Sequence, residues 1–155
     1  MAIDVTVTDE KMSGFSEFLT MRIKEFNNEI SPYHKSSREP GAVHPLNIIV
    51  KEGEAIIGGL CGSIYGGWLE IDKFFIPYES RGKGLGSDLL RKAEAEAVRQ
   101  GCHSSFLTTY SFQAKGFYEG FGYYVTGELK DYPPGEVFYW MRKDFSPISE
   151  AVTVQ

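Results

Sequence analysis

The chain has 155 residues, 42% of them hydrophobic and 24% charged, an ordinary composition for one globular domain with a real core. Its net charge of −5 argues against nucleic-acid binding as the main task, which usually needs a basic face. The sequence shows no apolar run long enough to cross a membrane, and no basic, apolar start of a signal peptide. We therefore expect a cytoplasmic protein without nucleic-acid or membrane partners.

The metal-binding residue types are scattered along the chain. Cys61 and Cys102 lie far apart, and His34, His44 and His103 do not complete any metal-ligand spacing with them. We expect no metal site, and we interpret both cysteines as small, reduced, apolar side chains.

The first half of the chain predicts a strand, a helix, a loop and a hairpin. Alternation of apolar and polar residues predicts the strand, and an apolar stripe at helical spacing predicts the helix, with Ser13 as its cap. Pro32 ends that helix. In chain order, the predicted elements are a strand at 3–8, a helix at 14–29, a loop at 33–45 and strands at 46–51 and 55–65.

The second half predicts a strand at 68–76, a helix ending at 100, a strand at 104–109, a helix at 112–120 and an antiparallel pair at 123–129 and 137–142. The whole pattern indicates a mixed α/β (α+β) fold, with one mostly antiparallel sheet of about seven strands flanked by helices. A helix joins strand 68–76 to strand 104–109, so these two should be parallel neighbours. We expect one domain at 1–147 and a loose tail at 148–155.

A glycine-rich turn joins the strand at 68–76 to the following helix. It reads Arg81-Gly82-Lys83-Gly84-Leu85-Gly86-Ser87. A helix start offers unpaired N–H groups and a positive dipole end, which together bind phosphate. Glycines let the main chain come close to an anion, and the Arg81 and Lys83 side chains add positive charge. The turn therefore predicts a pyrophosphate site.

Other glycine-rich sites fit this turn less well. A nucleoside-triphosphate loop ends in Gly-Lys-Ser/Thr, but Gly82-Lys83 is followed by Gly84. A dinucleotide site needs its third glycine one place later than Gly86 and an acidic residue after the next strand, which ends in Thr108-Thr109-Tyr110. A tight turn without any ligand remains an alternative.

Two motifs resemble one known family. Arg81-x-x-Gly84-x-Gly86 resembles the acetyl-CoA motif Gln/Arg-x-x-Gly-x-Gly/Ala of the GNAT superfamily of N-acetyltransferases. The segment from Ser111 to Tyr123 resembles that family's pattern Asn-x-x-Ala-x-x-Leu/Phe-Tyr-x-x-x-Gly-Phe, with Ser111 in place of Asn. The resemblance spans roughly Ile48 to Met141. It implies a GNAT-like fold in which the two parallel strands splay apart and hold the pantetheine arm of acetyl-CoA.

The resemblance also implies a set of residues that bind acetyl-CoA. Backbone groups of Phe74 and Ile76 should pair with the pantetheine amides, with Thr109 beside them. The full implied set is Phe74, Phe75, Ile76, Arg81, Gly82, Lys83, Gly84, Leu85, Gly86, Ser87, Thr109, Ser111, Ala114 and Phe117.

Tyr118 matches the family tyrosine that lies near the cofactor sulfur as general acid. A phenol is a weak acid, suited to protonating a departing thiolate. The alternative is a core tyrosine, because Phe117 and Phe121 flank it at helical spacing.

Glu70 and Asp72 are the candidates for the general base. They lie two apart on a strand, so they should face the same way as Trp68 and Phe74. A carboxylate there can accept a proton from the amine, directly or through water. Glu70 falls where some members of the resembling family carry a glutamate base. The alternative is a pair of carboxylates on a solvated strand face.

These features predict an acetyl-CoA-dependent N-acetyltransferase that moves the acetyl group directly to the primary amine of a small molecule. The alternatives are a protein acceptor (a lysine or an N-terminus) and a non-catalytic acyl-CoA-binding module. The presence of both Tyr118 and Glu70 favours the enzyme. Candidate acceptor-site residues, each of which could equally be an ordinary loop or strand residue, are Tyr33, His34, Tyr65 and Tyr132. The prediction also allows a homodimer.

Overall fold

The computed structural model describes residues 1–145, so the predicted tail at 148–155 lies outside the described residues. The chain divides into two compact units, residues 1–40 and a second unit that begins at Gly41. The single domain at 1–147 stays a prediction. No helix within residues 1–145 combines the length and the apolar character that crossing a membrane requires.

The first unit contains helices α1 (Phe15–Ile30) and α2 (Pro32–Ser36). Gly14, in the left-handed conformation at φ 79°, caps α1 without a side-chain hydrogen bond, so the predicted cap at Ser13 is wrong. The segment expected to be all loop contains α2, because the Ser31 side chain accepts a hydrogen bond from the His34 N–H at the start of that helix.

Residues 3–8 form no strand, contrary to the prediction. The side chains of Ile3, Val5 and Val7 are exposed, and no described strand pairs with the segment. Alternating residues become a strand only where a neighbouring strand supplies backbone partners and a surface to pack on. The sheet accordingly has six described strands instead of about seven.

The second unit is built on that sheet. Its strands are β1 (His44–Glu52), β2 (Ala55–Tyr65), β3 (Trp68–Phe75), β4 (Ser104–Tyr110), β5 (Tyr124–Lys130) and β6 (Val137–Asp144). They lie in the order β1-β2-β3-β4-β6-β5. Only β3 and β4 pair in parallel among the described strands, joined through helix α3 (Leu85–Arg99), while helix α4 (Lys115–Gly120) follows β4. The predicted mixed, mostly antiparallel fold with a parallel central pair is confirmed.

The hydrophobic core lies on one face of the sheet, which we call the core face. Leu90 and Ala93 of α3 are fully buried and cluster with Leu69 of β3, Leu107 of β4 and Met141 of β6. Side chains that alternate with these three strand residues lie on the other side, which we call the outer face. The two faces therefore differ in role, since α3 and α4 contribute to the core on one side only.

A β-bulge interrupts the alternation in β3. Cys61 of β2 pairs with Lys73, and the next residue, Gly62, pairs with Ile71, so Asp72 has no partner on β2. A Cβ atom on Gly62 would lie 2.1 Å from the Glu70 carbonyl oxygen, so only glycine fits this close approach.

The bulge changes which side chains share a face. Beyond it, Phe74 pairs with the buried Leu60 and packs against the core, on the same face as Ile71. Glu70 precedes the bulge and lies on the outer face. The prediction that Glu70 and Asp72 face the same way as Phe74 is therefore wrong, because one extra residue reverses the alternation.

Candidate active site

The two parallel strands are paired over only a short distance. Three residue pairs join them, Trp68 with Ser104, Leu69 with Ser105 and Glu70 with Phe106. Past Glu70, β3 and β4 separate, and residues 71–76 and 107–109 line a cleft of about 800 Å³ between them. The separation leaves one edge of β3 without a neighbouring strand among the described residues.

The cleft brings most of the predicted site residues together. From the predicted set, its walls contain Asp72, Phe74, Phe75, Ile76, Arg81, Gly82, Gly84, Gly86, Ser87, Thr109, Ala114, Phe117 and Tyr118. Four residues of the predicted catalytic and cofactor-binding sets do not line it, namely Glu70, Lys83, Leu85 and Ser111, and neither do the candidate acceptor-site residues Tyr65 and Tyr132.

The start of α3 forms one end of the cleft. Gly84 caps the helix at φ 82°, and the first helical hydrogen bond runs from the Asp88 N–H to the Gly84 carbonyl at 3.0 Å. The N–H groups of Leu85, Gly86 and Ser87 therefore have no partner within the helix. Since a Cβ atom built on Gly82 or Gly84 would meet no atom within 4 Å, the backbone here is open to an approaching anion.

Arg81 stabilises the turn in addition to supplying positive charge. Its Nε donates a hydrogen bond of 2.8 Å to the Ile76 carbonyl, and its guanidinium carbon lies 5.7 Å from the centre of the Phe75 ring. These contacts fix the turn between β3 and α3. The Ile76 carbonyl, expected to face a pantetheine amide, thus already accepts one hydrogen bond.

Tyr118 is buried in the wall of the cleft. It is 8% exposed, and its ring contacts the rings of Phe74 and Phe117. Burial raises the pKa of its phenol to about 12. Tyr118 lines the cleft, and its hydroxyl bonds to no side chain or backbone group among residues 1–145. Tyr118 is therefore protonated at neutral pH and free to donate.

The local hydrogen bonds around α4 explain this position. The Tyr118 N–H bonds to the Ala114 carbonyl at 3.1 Å, which forms the first turn of α4. The Tyr123 N–H in turn bonds to the Tyr118 carbonyl at 3.0 Å, which closes the helix against the following strand. Both ends of this short helix are thus held on either side of Tyr118.

The side chains of Gln113 and Ser111 form the hydrogen bonds at the end of β4. The Gln113 Oε1 atom accepts hydrogen bonds from the Tyr110 N–H at 2.9 Å and the Thr109 hydroxyl at 3.3 Å. The Ser111 hydroxyl donates to the Glu136 carboxylate and accepts from the Val137 N–H. Ser111 therefore ties this turn to β6 and does not face the cleft, whereas Gln113 lines it.

The two candidate bases lie in different places. Asp72, at the bulge, lines the cleft and forms an ion pair of 2.6 Å with Lys73, with both side chains largely exposed. Glu70 belongs to the last paired position before the strands separate, and it is exposed outside the cleft. Sequence spacing alone made them equivalent, and the bulge separates them.

The cleft also contains residues that the sequence reasoning missed, namely Ile71, Lys73, Leu107, Thr108, Phe112 and Gln113. Leu107 and Thr108 directly precede Thr109, so the expected separation of the strands was a signal for them. No sequence pattern marked Lys73, because the bulge decides which way it points. Within residues 1–145, no three His, Cys, Asp or Glu side chains are arranged to hold a metal ion.

Comparisons with known proteins agree with this architecture. The blasticidin-S acetyltransferase of Streptomyces morookaense is 35% identical over 131 residues, 79% of this chain and 96% of that protein. The crystal structure of an acetyltransferase from Bacillus cereus matches with a TM-score of 0.77 and 28% identity, over 90% of this chain and 98% of that one. An N-acetyltransferase of Thermoplasma acidophilum, solved in complex with coenzyme A, shares the fold at 19% identity, with a TM-score of 0.55 over 83% of this chain and 79% of that one.

The acetyltransferase (GNAT) family model matches residues 14–123, well over half of the chain. It includes the whole path from β1 through the separated strands and α3 to Tyr118. By this match, and by its blasticidin-S acetyltransferase relative, the chain belongs to the GNAT family of acetyltransferases.

Proposed function

We propose that the protein transfers the acetyl group of acetyl-CoA directly to the primary amine of a small molecule. One observation carries the proposal: the cleft between β3 and β4 runs from the open helix start of α3 to the buried Tyr118. A phosphate-binding end and a proton donor are thus connected by a strand edge with free backbone groups.

Each part of the cleft offers groups that suit the corresponding part of coenzyme A. The free N–H groups at the start of α3 suit the pyrophosphate, with Arg81 and Lys83 adding positive charge. The unpaired edge of β3 between Ile71 and Ile76 offers amide partners to the pantetheine arm, as another strand would. When bound there, acetyl-CoA supplies the acetyl group as a reactive thioester.

Tyr118 and Asp72 supply the proton transfers that the reaction needs. Amide formation releases one proton from the attacking amine, and the departing thiolate takes up one proton. Asp72 is the carboxylate that lines the cleft, so we assign it the proton of the amine. Tyr118, protonated and buried, is assigned the proton for the thiolate, because its phenol keeps its proton at neutral pH.

The small-molecule acceptor is supported by a relative. The 35% identical protein of Streptomyces morookaense is named for the small molecule blasticidin S, and this chain spans 96% of it. The shared length leaves little room for a different acceptor-binding domain in that relative. Acceptors of the two proteins need not be the same molecule.

The test is a coenzyme A titration followed by an amine screen. Calorimetry should show acetyl-CoA and coenzyme A binding one site per chain, and a panel of small amines should release free thiol from acetyl-CoA. Because the protein has two free cysteines, the thiol signal without amine is subtracted. Binding without turnover on any small amine or lysine peptide would leave a binding module, and turnover on peptides alone would identify a protein acceptor. Either result rejects the proposal.

A further inference from the structure

We propose that the acceptor is a cationic amine carrying a planar ring, and that its ring binds an exposed aromatic strip beside the cleft. The strip consists of Tyr110, Phe112, Tyr132, Phe138 and Trp140. Only one part of the inference rests on the proposed function, namely that the bound amine is the acceptor of the acetyl group. The existence of a ring-binding surface stands on the geometry alone.

The rings of the strip touch one another in a continuous row. The Tyr110 and Phe112 rings are stacked with centres 5.0 Å apart and planes within 10°. The Phe138 ring lies 4.9 Å from both the Tyr110 and the Trp140 rings. Tyr132 packs edge-on against Phe138 at 5.9 Å. Such ring-on-ring contacts hold the side chains in place and leave a firm surface for a further ring.

The strip is exposed where a purely structural cluster would be covered. Phe112 is 59% exposed, Tyr132 53% and Trp140 42%. Isolated exposed rings are common, but adjacent exposed rings mark places where ligands bind. The hydrophobic core lies on the opposite face and includes none of the five rings.

The strip continues directly into the cleft. Phe112 and Thr108 both line the cleft, and Thr108 is the cross-strand partner of Trp140. Tyr110 pairs with Phe138 at the end of the same two strands. A ring placed on the strip therefore lies next to the opening between β3 and β4.

The strip and the phosphate-binding end lie on different faces of the sheet. Phe74 and Phe117, which surround Tyr118, belong to the core, and Phe117 lies close to Gly86 at the start of α3. Thr108 and Trp140 alternate with buried Leu107 and Met141, so they lie on the outer face. A coenzyme bound along the core face would leave the outer face to the acceptor.

Carboxylates occur on the elements next to the strip. Glu70, opposite Phe106 on the outer face, has no ion-pair partner within residues 1–145. Asp72 lines the cleft but is paired with Lys73. The loop that contains Tyr132 adds the carboxylates of Asp131 and Glu136.

The nearby positive charges are already paired. Arg142, the outer-face partner of Phe106, bonds to Asp144 at 2.7 Å and stacks over Trp68. The remaining balance is acidic, which attracts a cation, and aromatic faces attract cations as well. Glu70 on β3 and Trp140 on β6 project from the same outer face, on either side of β4. This face therefore offers a ring surface and a carboxylate to one ligand.

The test separates the ring from the charge with three probes. We would titrate 2-phenylethylamine, 2-phenylethanol and butylamine into the protein by calorimetry, with and without saturating coenzyme A. The strip variants are Phe112→Leu and Trp140→Leu, the charge variant is Glu70→Gln, and the control is Ile56→Ala, an exposed side chain on β2. Because Phe112 is mostly exposed, its variant tests the strip even if Trp140→Leu folds poorly.

We expect 2-phenylethylamine to bind most tightly. The strip variants should weaken both ring compounds about fivefold to tenfold and weaken butylamine less, because butylamine loses a cation–ring contact but no ring–ring contact. Glu70→Gln should weaken the two amines but not the alcohol, and Ile56→Ala should change nothing.

Equal binding of the three probes, or strip variants that bind the ring compounds as the wild type does, would overturn the inference. The proposed function fails separately. If coenzyme A does not bind while 2-phenylethylamine still depends on the strip, the ring site stands and the transferase assignment falls. If amines turn over without any preference for a ring, the reverse holds.

Discussion

Glu70 and Phe106 form the last cross-strand pair between the two parallel strands. Residues 71–76 and 107–109, which directly follow this pair on the two strands, line the cleft. Glu70 therefore lies outside the cleft on the outer face, while Asp72, two residues later, lines the cleft. A difference of two residues in position becomes a difference in expected role.

Asp72→Asn should lower turnover about 10²-fold and remove the rising limb of the pH–rate profile, because it removes the proton acceptor inside the cleft. Glu70→Gln serves as the control, because it replaces the carboxylate two residues away, outside the cleft, by an amide of similar size. At saturating amine, it should retain kcat within about twofold and the full pH limb. Steady-state kinetics from pH 6 to 10 check both variants. A lost limb in Glu70→Gln alone would reverse the assignment.

Tyr118→Phe should fold and bind coenzyme A as the wild type does, but turn over about 10²-fold more slowly, the usual loss for a general acid. The change keeps the ring that packs on Phe74 and Phe117 in the wall of the cleft and removes only the hydroxyl. Kinetics and calorimetry on the same preparation separate the two effects. Full turnover on the true acceptor would make Tyr118 a packing residue only.

Ser87→Asp should weaken coenzyme A binding at least tenfold without loss of stability. A carboxylate in the first turn of α3 is favourable for the helix dipole but repels a pyrophosphate at the same N–H groups. Ser87→Asn has a similar size without the charge and should bind nearly as the wild type does. Calorimetry measures the affinities and thermal unfolding the stability. This pair avoids the strain that any side chain would bring at Gly84, where φ is 82°.

The free energy of unfolding should fall between pH 10 and pH 12. Below pH 10 the Tyr118 phenol is protonated in both states, so its contribution is fully present. Above pH 10 the unfolded phenol ionises before the folded one, whose pKa is about 12, so about 2 kcal/mol is lost by pH 12. Burial also raises the pKa of Tyr123, which adds to the decline. Urea unfolding at pH 9 and pH 11 should show a smaller drop in Tyr118→Phe. An identical drop in both proteins contradicts the assignment.

Lys143→Met should cost about 3 kcal/mol of unfolding free energy, since it leaves a nearly buried carboxylate without its cation. The Lys143 Nζ lies 2.6 Å from Glu94, whose other oxygen accepts a hydrogen bond from the Tyr123 hydroxyl at 2.9 Å. Lys92→Met breaks an exposed pair of the same 2.6 Å length with Asp88 and should cost less than about 1 kcal/mol. Equal losses in urea unfolding would mean that burial does not matter here.

The sequence was informative where local rules determine the outcome. Turn residues and alternation located β2 at Ala55–Tyr65, and the glycine spacing located the start of α3. The motif from Ser111 to Tyr123 predicted Tyr118 at the site, and Tyr118 lines the cleft, because its place in the short helix α4 fixes the direction of its side chain. These features depend on residues close together in the chain.

Features that depend on a neighbouring strand escaped the sequence. The alternation at residues 3–8 looks like a strand, yet no described strand pairs with it. The bulge at Asp72 arises from the register between β2 and β3, so the orientation of Phe74 could not be derived from β3 alone. Ser111 was expected at the cofactor, but its partners Glu136 and Val137 lie 25 and 26 residues away.

The short pairing of β3 and β4 has a mechanical consequence. Three residue pairs are the only backbone ladder in the described sheet between the half made of β1–β3 and the half made of β4–β6. A ligand whose amides pair with the free edge of β3, and whose other side contacts β4, bridges the two halves of the sheet. Its binding free energy then adds to the cohesion of the whole sheet. Cofactor supply would thereby set how long each molecule survives heat or proteolysis.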